Sequence, residues 1–575
     1  MEKQLHDRLA FLYGEDRADL LTSRLWEQLA LFRAEHPEVT AVASPQRISE
    51  KDAILITYGD MVQQSGQKPL ATLAEFLPRW LNGRISAIHL LPFFPYSSDD
   101  GFSVIDYKQV NPAWGSWDDV AAIGRSFRLM FDAVVNHIST ESDWFQAFLR
   151  GERPYTDYFI TADPDTDLST VFRPRSSPLL TPFETPAGVK YVWTTFSEDQ
   201  VDLNYANPDV LLAVLDVLLF YAAHGAEFIR LDAIAYIWKE IGTDCLHRPQ
   251  THEIIRLMRT VLDIAAPQVS LITETNVPHK DNIAYFGNGR NEAQMVYNFS
   301  LPPLTLHAFH TGNAETLSQW AATLTLPSAQ AAFFNFLASH DGIGVQPAKG
   351  LLSAAAVADM AARVEALGGY VSYKTNGDKS QSAYELNINF LDALGDPDRP
   401  DEPAEWLARR FLAAQAIMLA LRGVPGIYFH SLFGSRNWRE GVEMTGQKRA
   451  INRQKLQRGQ LEQELADPHS LRHHVFASYQ KLLAARTADP AFHPNGGQEV
   501  VACDTAVFAL WRISPDGRSR VLCLQNVSDQ AHDLALPAPN TTNMIDLLGS
   551  GEYVVTQAAL HLTIPPFGVF WLKAI

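Results

Sequence analysis

A parallel (β/α)8 barrel, a TIM barrel, carrying two long insertions and followed by an all-β domain is the α/β fold that this sequence predicts. Three observations predict it. From Ala53 onward, eight apolar runs of strand length alternate with longer amphipathic segments. Polar residues close four of those runs, at the carboxyl ends where such a barrel presents its chemistry. After about Pro494 the pattern changes to alternating strands separated by turn signals.

Taken in order, residues 1–48 place Leu9, Leu12, Tyr13, Leu21, Leu25, Leu29 and Phe32 at helical spacing, which predicts a helical extension before the main fold. The strand runs follow at 54–58, 87–93, 129–136, 227–232, 270–275, 295–301, 333–340 and 426–430. Asn136 and His137 close the third, Asp232 the fourth, Glu274 the fifth, and His340 with Asp341 the seventh. Two connections exceed what a barrel needs, and long insertions at this face usually carry function. The first holds Arg173-Pro174-Arg175 and Trp193-Thr194-Thr195-Phe196; the second holds a helical patch at 354–367 and a polar stretch around 374–382. In the C-terminal part, Pro515-Asp516-Gly517 reads as a turn between strands, and 565–572 as an apolar closing strand. The division is therefore a helical extension (1–48), barrel (49–138), first insertion or domain B (139–205), barrel (206–341), second insertion or domain B′ (342–403), barrel (404–493) and β-domain (494–575).

Acidic residues number 65 against 47 basic ones, giving a formal net charge of −18, which argues against nucleic acid or an anionic membrane as partner. A bound anion must then find a local basic pocket. The apolar stretches 210–223 and 411–421 are too short to span a bilayer. Cys245, Cys503 and Cys523 are too few and scattered for a disulfide framework or zinc site. With no apolar run of signal-peptide length near the start, a cytoplasmic location is expected.

Arg230 and Asp232 interrupt an apolar strand two positions apart, so the strand's period projects both from one face. Alone, they fit a buried structural ion pair as well as an oriented catalytic anion. Asp232, Glu274 and Asp341 together supply what glycoside chemistry requires: a carboxylate nucleophile, a protonated acid, and further anionic support for an oxocarbenium-like transition state. Arg230 is expected to depress the pKa of Asp232, and poorer compensation to raise that of Glu274. No cofactor and no metal are expected.

Asp132-Ala-Val-Val-Asn136-His137, Arg230-Leu-Asp232-Ala233, Ile-Thr-Glu274-Thr-Asn and Phe336-Leu-Ala-Ser-His340-Asp341 resemble, in order, the four conserved stretches of the α-amylase superfamily, glycoside hydrolase family thirteen. The resemblance implies Asp232 as nucleophile, Glu274 as general acid/base and Asp341 as transition-state stabiliser, with His137 and His340 on sugar hydroxyls and Arg230 orienting Asp232. His89-Leu-Leu-Pro-Phe-Phe-Pro95, Trp193-Thr-Thr-Phe196 with Gln200, and Ile451-Asn-Arg453 are similar to the sucrose phosphorylase subfamily, which implies that Asp99 and Arg453 close a pocket around one glucose. Sucrose phosphorylases tend to carry Gly-Asp-Arg-Gly-Phe where this chain has Ser98-Asp99-Asp100-Gly101-Phe102, and they lack Ile-Thr-Glu-Thr-Asn around the acid/base; Trp438 stands where relatives often have aspartate. Those stretches, the helical extension and Arg173-Pro-Arg175 look instead like the glucosylglycerate phosphorylases. That branch implies reversible phosphorolysis of 2-O-α-D-glucosylglycerate to α-D-glucose 1-phosphate and D-glycerate, through a β-glucosyl ester on Asp232.

Glycerate and inorganic phosphate are small anions, so cations belong near the leaving-group position. Arg173 and Arg175 are the leading candidates, with Lys349 and Lys374 behind them. Trp193 and Phe196 either wall that position or pack the insertion's own core. Sucrose, sucrose 6-phosphate and glucosylglycerol stand as rival donors, and a hydrolase or transglucosidase as a rival reaction. A non-catalytic scaffold of the same fold would be expected to have lost one of the three carboxylates.

Overall fold

The structure, a computed structural model, describes residues 2–41, 48–175, 177–375, 380–399, 401–538 and 541–575. Eight strands close into a parallel barrel: β1 (Ile54–Thr57), β2 (Ala87–Leu90), β3 (Arg128–Ala133), β4 (Ala226–Leu231), β5 (Ser270–Thr273), β6 (Met295–Tyr297), β7 (Ala332–Asn335) and β8 (Val424–Tyr428). Neighbours in sequence are neighbours in space, and β8 pairs back to β1 with Ile54 opposite Gly426. Helices cover the outside and side chains fill the inside, so β1, β2, β5, β6, β7 and β8 are buried along their whole length. That two-sided burial is why the runs read as continuously apolar rather than alternating.

All eight strands lie within or beside the predicted runs, but most stop earlier. The missing residues are the strand-end groups, which leave the barrel to build the mouth. His137, for example, lies beyond β3 in a short strand, His137–Ser139, that pairs antiparallel with Gln200–Asp202 from the far end of the first insertion. This pairing places His137 and Gln200, distant in sequence, on one wall.

The first insertion also holds a hairpin, Leu180–Thr185 with Gly188–Trp193. Trp193 is fully buried against Val171, Leu179 and Cys245, and its indole N–H donates to Thr195 Oγ1 at 3.1 Å. It packs the insertion's own core and does not wall the cavity. The second insertion is a three-stranded antiparallel sheet (Ile343–Gly344, Tyr370–Thr375, Gln381–Asn387) with the helix Ala354–Ala366 against it. Residues 376–379 of the predicted polar stretch lie outside the described residues.

Helices Glu2–Tyr13 and Glu15–Glu35 pack together across Gly14, whose φ of +90° suits a residue without a side chain. They lay Leu5, Leu9, Leu25 and Leu29 into the common core and dock on the barrel helix Pro249–Ala265, where Arg8 ion-pairs with Glu253. The apolar stretches seen in the sequence are the barrel helices Pro208–Ala223 and Ala404–Ala420. Among the described residues, no helix is long and apolar enough to cross a membrane.

The C-terminal part is an eight-stranded antiparallel sheet with its own core, including Leu522, Leu536, Met544 and Leu560. Its last strand, Val569–Ala574, lies between Arg520–Asn526 and Asn543–Asp546, in the sheet interior rather than at its edge. Arg512 ties this domain to the barrel by donating to the carbonyls of Ala420 (3.1 Å) and His493 (2.7 Å).

Candidate active site

The centre of the mouth is a buried guanidinium. Arg230, near the end of β4, ion-pairs with Asp132 of β3 and donates to Asp232 Oδ1 at 2.9 Å, while its other nitrogen stands 3.9 Å from Glu274 Oε2. Asp132 is held from behind by His89 of β2, Nε2 to Oδ2 at 2.7 Å. After Asp232 the chain turns through Ala233 in a left-handed conformation (φ 47°), which aims the Ala233 N–H at Glu274 Oε2, 2.9 Å away. The two strand ends are thereby locked to each other by a main-chain bond.

Asp232 and Glu274 are 8% and 9% exposed, so both carboxyls sit in a low-dielectric environment. Burial raises Asp232 well above the usual carboxylate range; Arg230 pulls it back, and Glu274, Asp132 and Asp341 push it further up. This corrects the expectation that Arg230 leaves Asp232 depressed. The nearer share of that guanidinium goes to Asp132, which against the pull of burial is held low by Arg230 and His89. Burial also raises Glu274, despite Arg230 and the Ala233 N–H. Both carboxyls are therefore raised, and the charge of each bears on the other.

Asp341, beyond β7, behaves oppositely. Against the pull of burial, Arg449, Arg453 and Arg230 hold it below the usual range. Arg449 Nη1 is 2.6 Å from Asp341 Oδ1, and the same guanidinium grips Glu385 of the second insertion in a fork, Nε to Oε1 at 3.0 Å and Nη2 to Oε2 at 2.6 Å. A strand of the second insertion is thus joined through one arginine to a strand-end carboxylate.

One cavity is lined by Asp99, Phe102, His137, Arg175, Phe196, Gln200, Asp232, Tyr236, Glu274, Asn276, His340, Asp341, Tyr384 and Arg449. His340 stacks flat on Phe102, ring centroids 4.6 Å apart at 4°, and burial followed by Arg453 lowers it far enough to keep it neutral. Burial lowers His137 as well; its Nε2 is 2.9 Å from the Phe102 carbonyl, which also accepts from Gln200 Nε2 at 3.0 Å. Phe196 packs between His137 and Tyr236, at 5.2 and 5.3 Å. Arg453 lies on the wider vestibule above. It donates to the His340 carbonyl at 2.8 Å and pairs most closely with Asp100 (2.6 Å), Asp99 standing at 3.5 Å.

Of the predicted cations, Arg175 alone borders both cavity and vestibule, with its guanidinium 5.9 Å from the Tyr384 ring. Arg173 is half-buried and lines neither: the chain bends at Pro174 and Arg175, which breaks the strand period that would have put both arginines on one face. Lys349 is exposed in the turn after the short helix Gln346–Ala348, and Lys374 donates to Gln346 Oε1 at 3.0 Å, so neither borders the cavity. Trp438 also stays off the cavity, its main-chain N–H donating to the Ile451 carbonyl.

Arg449, Glu385, Tyr384 and Tyr236 were not visible in the sequence. Their local signal is the nearness of Arg449 to Arg453, which lie in and just after one 3₁₀ turn, Lys448–Asn452, and both approach Asp341.

Among the described residues, no three His, Cys, Asp or Glu side chains gather as a metal site. Asn136 and Asp202 instead share the buried Lys239 ammonium, at 2.7 Å from Asn136 Oδ1 and 2.5 Å from Asp202 Oδ2. A fixed protein charge fills the position between them, and this donor set does not fit a calcium ion.

The family profile described as "Alpha amylase, catalytic domain" matches residues 83–347. Glucosylglycerate phosphorylase of Spirochaeta thermophila is 48% identical over 99% of this chain and 98% of its own length. The glucosylglycerate phosphorylase of Allomeiothermus silvanus is 50% identical over 100% and 98%. Among solved structures, sucrose 6F-phosphate phosphorylase from Thermoanaerobacter thermosaccharolyticum superposes with a TM-score of 0.73 at 25% identity, covering 88% of this chain and 98% of that one.

Proposed function

The chain belongs to the α-amylase family and is a phosphorylase-type enzyme, and from that premise we infer that it catalyses reversible phosphorolysis of 2-O-α-D-glucosylglycerate. The products are α-D-glucose 1-phosphate and D-glycerate. Asp232 attacks the anomeric carbon; as the bond to the glycerate oxygen breaks, Glu274 gives its proton to that oxygen. A β-glucosyl ester on Asp232 results. Phosphate then attacks the same carbon, Glu274 takes the proton back, and the Asp232 carboxylate is released, so the anomeric configuration is retained.

The relatives carry the choice of donor and acceptor, and the observation that carries the double displacement is the unequal setting of the two carboxyls. Asp232 accepts an ion-paired N–H from Arg230, whereas Glu274 accepts only a main-chain N–H and lies a full ångström farther from the guanidinium. The proton is therefore assigned to Glu274, leaving Asp232 as the anion. Asp341, held ionised by Arg449 and Arg453, is available to support positive charge at the anomeric centre. Asp99, His137, Gln200, His340 and Phe196 form the glucose side, with Arg230 holding Asp232 and Arg453 holding the Asp99–Asp100 turn from the vestibule. Arg175, backed by Tyr384 and Arg449, is the anion side that takes glycerate and phosphate in turn.

No metal or cofactor enters the scheme, and the substrates are small molecules. The free thiols of Cys245, Cys503 and Cys523 accord with a cytoplasmic setting. The test is release of α-glucose 1-phosphate from 2-O-α-glucosylglycerate and from sucrose in parallel, with and without phosphate. Phosphate-dependent product from glucosylglycerate alone is expected. Phosphate-independent glucose would mean a hydrolase, and product from sucrose alone a different acceptor.

A further inference from the structure

The loop that brings Asp99 to the cavity is built against the backbone's own preferences. Asp99, Asp100 and Gly101 have φ of 51°, 48° and 109°, three consecutive residues in the left-handed region. For the two aspartates that conformation is strained, and it persists only where surrounding structure imposes it. Gly101 is obligatory, since a Cβ there would stand 2.6 Å from the Pro92 carbonyl. Arg453 holds the tip of the loop through Asp100.

Its base is held by a group that the catalytic scheme leaves unused. The Asp199 carboxylate accepts hydroxyl hydrogen bonds from Ser97 (2.6 Å) and Ser98 (2.5 Å) on one side of the turn, and from Ser103 (2.7 Å) on the other. A fourth comes from Thr140 (2.6 Å), just beyond the strand of His137. Its main-chain carbonyl takes the Thr140 N–H at 3.2 Å and stands 3.0 Å from the same Ser103 hydroxyl. One half-buried carboxylate thus gathers both stems of the turn onto the segment that carries Gln200. Burial raises its pKa, and the four hydroxyls more than reverse this, so it stays an anion.

We propose that Asp199 is a positioning residue for glucose recognition, an anionic clamp whose four hydroxyl bonds hold the strained Ser97–Ser103 loop so that Asp99 and Phe102 face the glucosyl unit. Asp199 itself does not border the innermost cavity. The inference rests on the reading of Asp99 as a glucose-binding residue.

A two-step transfer makes the test selective. The kcat/KM for a glucosyl donor reports capture of free glucose-bearing substrate, whereas the kcat/KM for the acceptor starts from enzyme already carrying glucose. Asp199→Ala is expected to lower kcat/KM for α-glucose 1-phosphate at least ~10-fold while changing that for D-glycerate less than ~3-fold. Ser98→Ala, which removes a single bond, should shift the donor constant in the same direction by less, with thermal unfolding unchanged. Equal losses for donor and acceptor in both variants, or an unchanged donor constant in a folded Asp199→Ala protein, would overturn the proposal. Asp99→Ala, run alongside, separates the two failures: an unchanged donor constant there would overturn the reading of Asp99 and the clamp with it, whereas a loss confined to Asp99→Ala would overturn the clamp alone.

Discussion

At the scale of single residues, the chemistry turns on how one guanidinium is divided. Arg230 makes its closest contact with Asp132 and shares the remainder between Asp232 and Glu274, so Asp132 is held low while the other two are raised. Asp232→Asn is expected to lower kcat on the order of 10³-fold or more with the fold intact, checked by activity and thermal unfolding together. Arg175→Ala should raise the KM for phosphate and glycerate by ~10-fold or more while leaving capture of the glucosyl unit nearly unchanged, read from initial rates with each substrate varied. Asp232, Glu274 and Asp341 were legible because each follows an apolar run and a strand's period fixes the face it leaves by. The raised pKa of Asp232 was not, since it depends on competition from Asp132, 98 positions before Arg230. Nor was the choice of Asp100 over Asp99 as the closest partner of Arg453, which follows from two left-handed residues that no periodicity announces.

At the scale of elements, the mouth is assembled from pieces that meet only after folding. The His137–Ser139 strand needs Gln200–Asp202 from across the first insertion, and Arg449 needs Glu385, 64 positions away in the second. Such pairs leave no mark within one window of sequence, which is why the insertions were recognisable by length and composition while their contacts were not. The same holds for Arg512, whose buried guanidinium closes main-chain carbonyls of the barrel from a strand of the β-domain. Arg512→Met keeps much of the volume but leaves those carbonyls without a donor. It is expected to cost about 2–4 kcal/mol, seen as a lower midpoint of chemical unfolding with little change in KM.

At the scale of the whole molecule, the barrel supplies the carboxylates and the loops supply their electrostatic setting. Eight apolar runs with polar ends were enough to read the architecture, because buried parallel strands must be continuously apolar and their carboxyl ends must not be. Concentrating Asp132, Asp232, Glu274 and Asp341 around so few cations carries a stability cost with a definite sign. Glu274 is raised in the folded state, so the stability it contributes is fully present below its unfolded value of about 4 and is lost as pH rises through the folded value. Glu274→Gln abolishes that loss, since the amide oxygen still accepts from Ala233. The variant should therefore unfold at a higher temperature than the wild type at pH 8, an advantage that vanishes near pH 4. The same variant bears on the central claim, that glucose passes through an ester on Asp232. Glu274→Gln incubated with α-glucosyl fluoride, which needs no proton to leave, then digested and sequenced by mass spectrometry, is predicted to carry one glucosyl unit on Asp232. A glucosyl unit on another residue, or free glucose released at the wild-type rate with no adduct at all, would contradict the account.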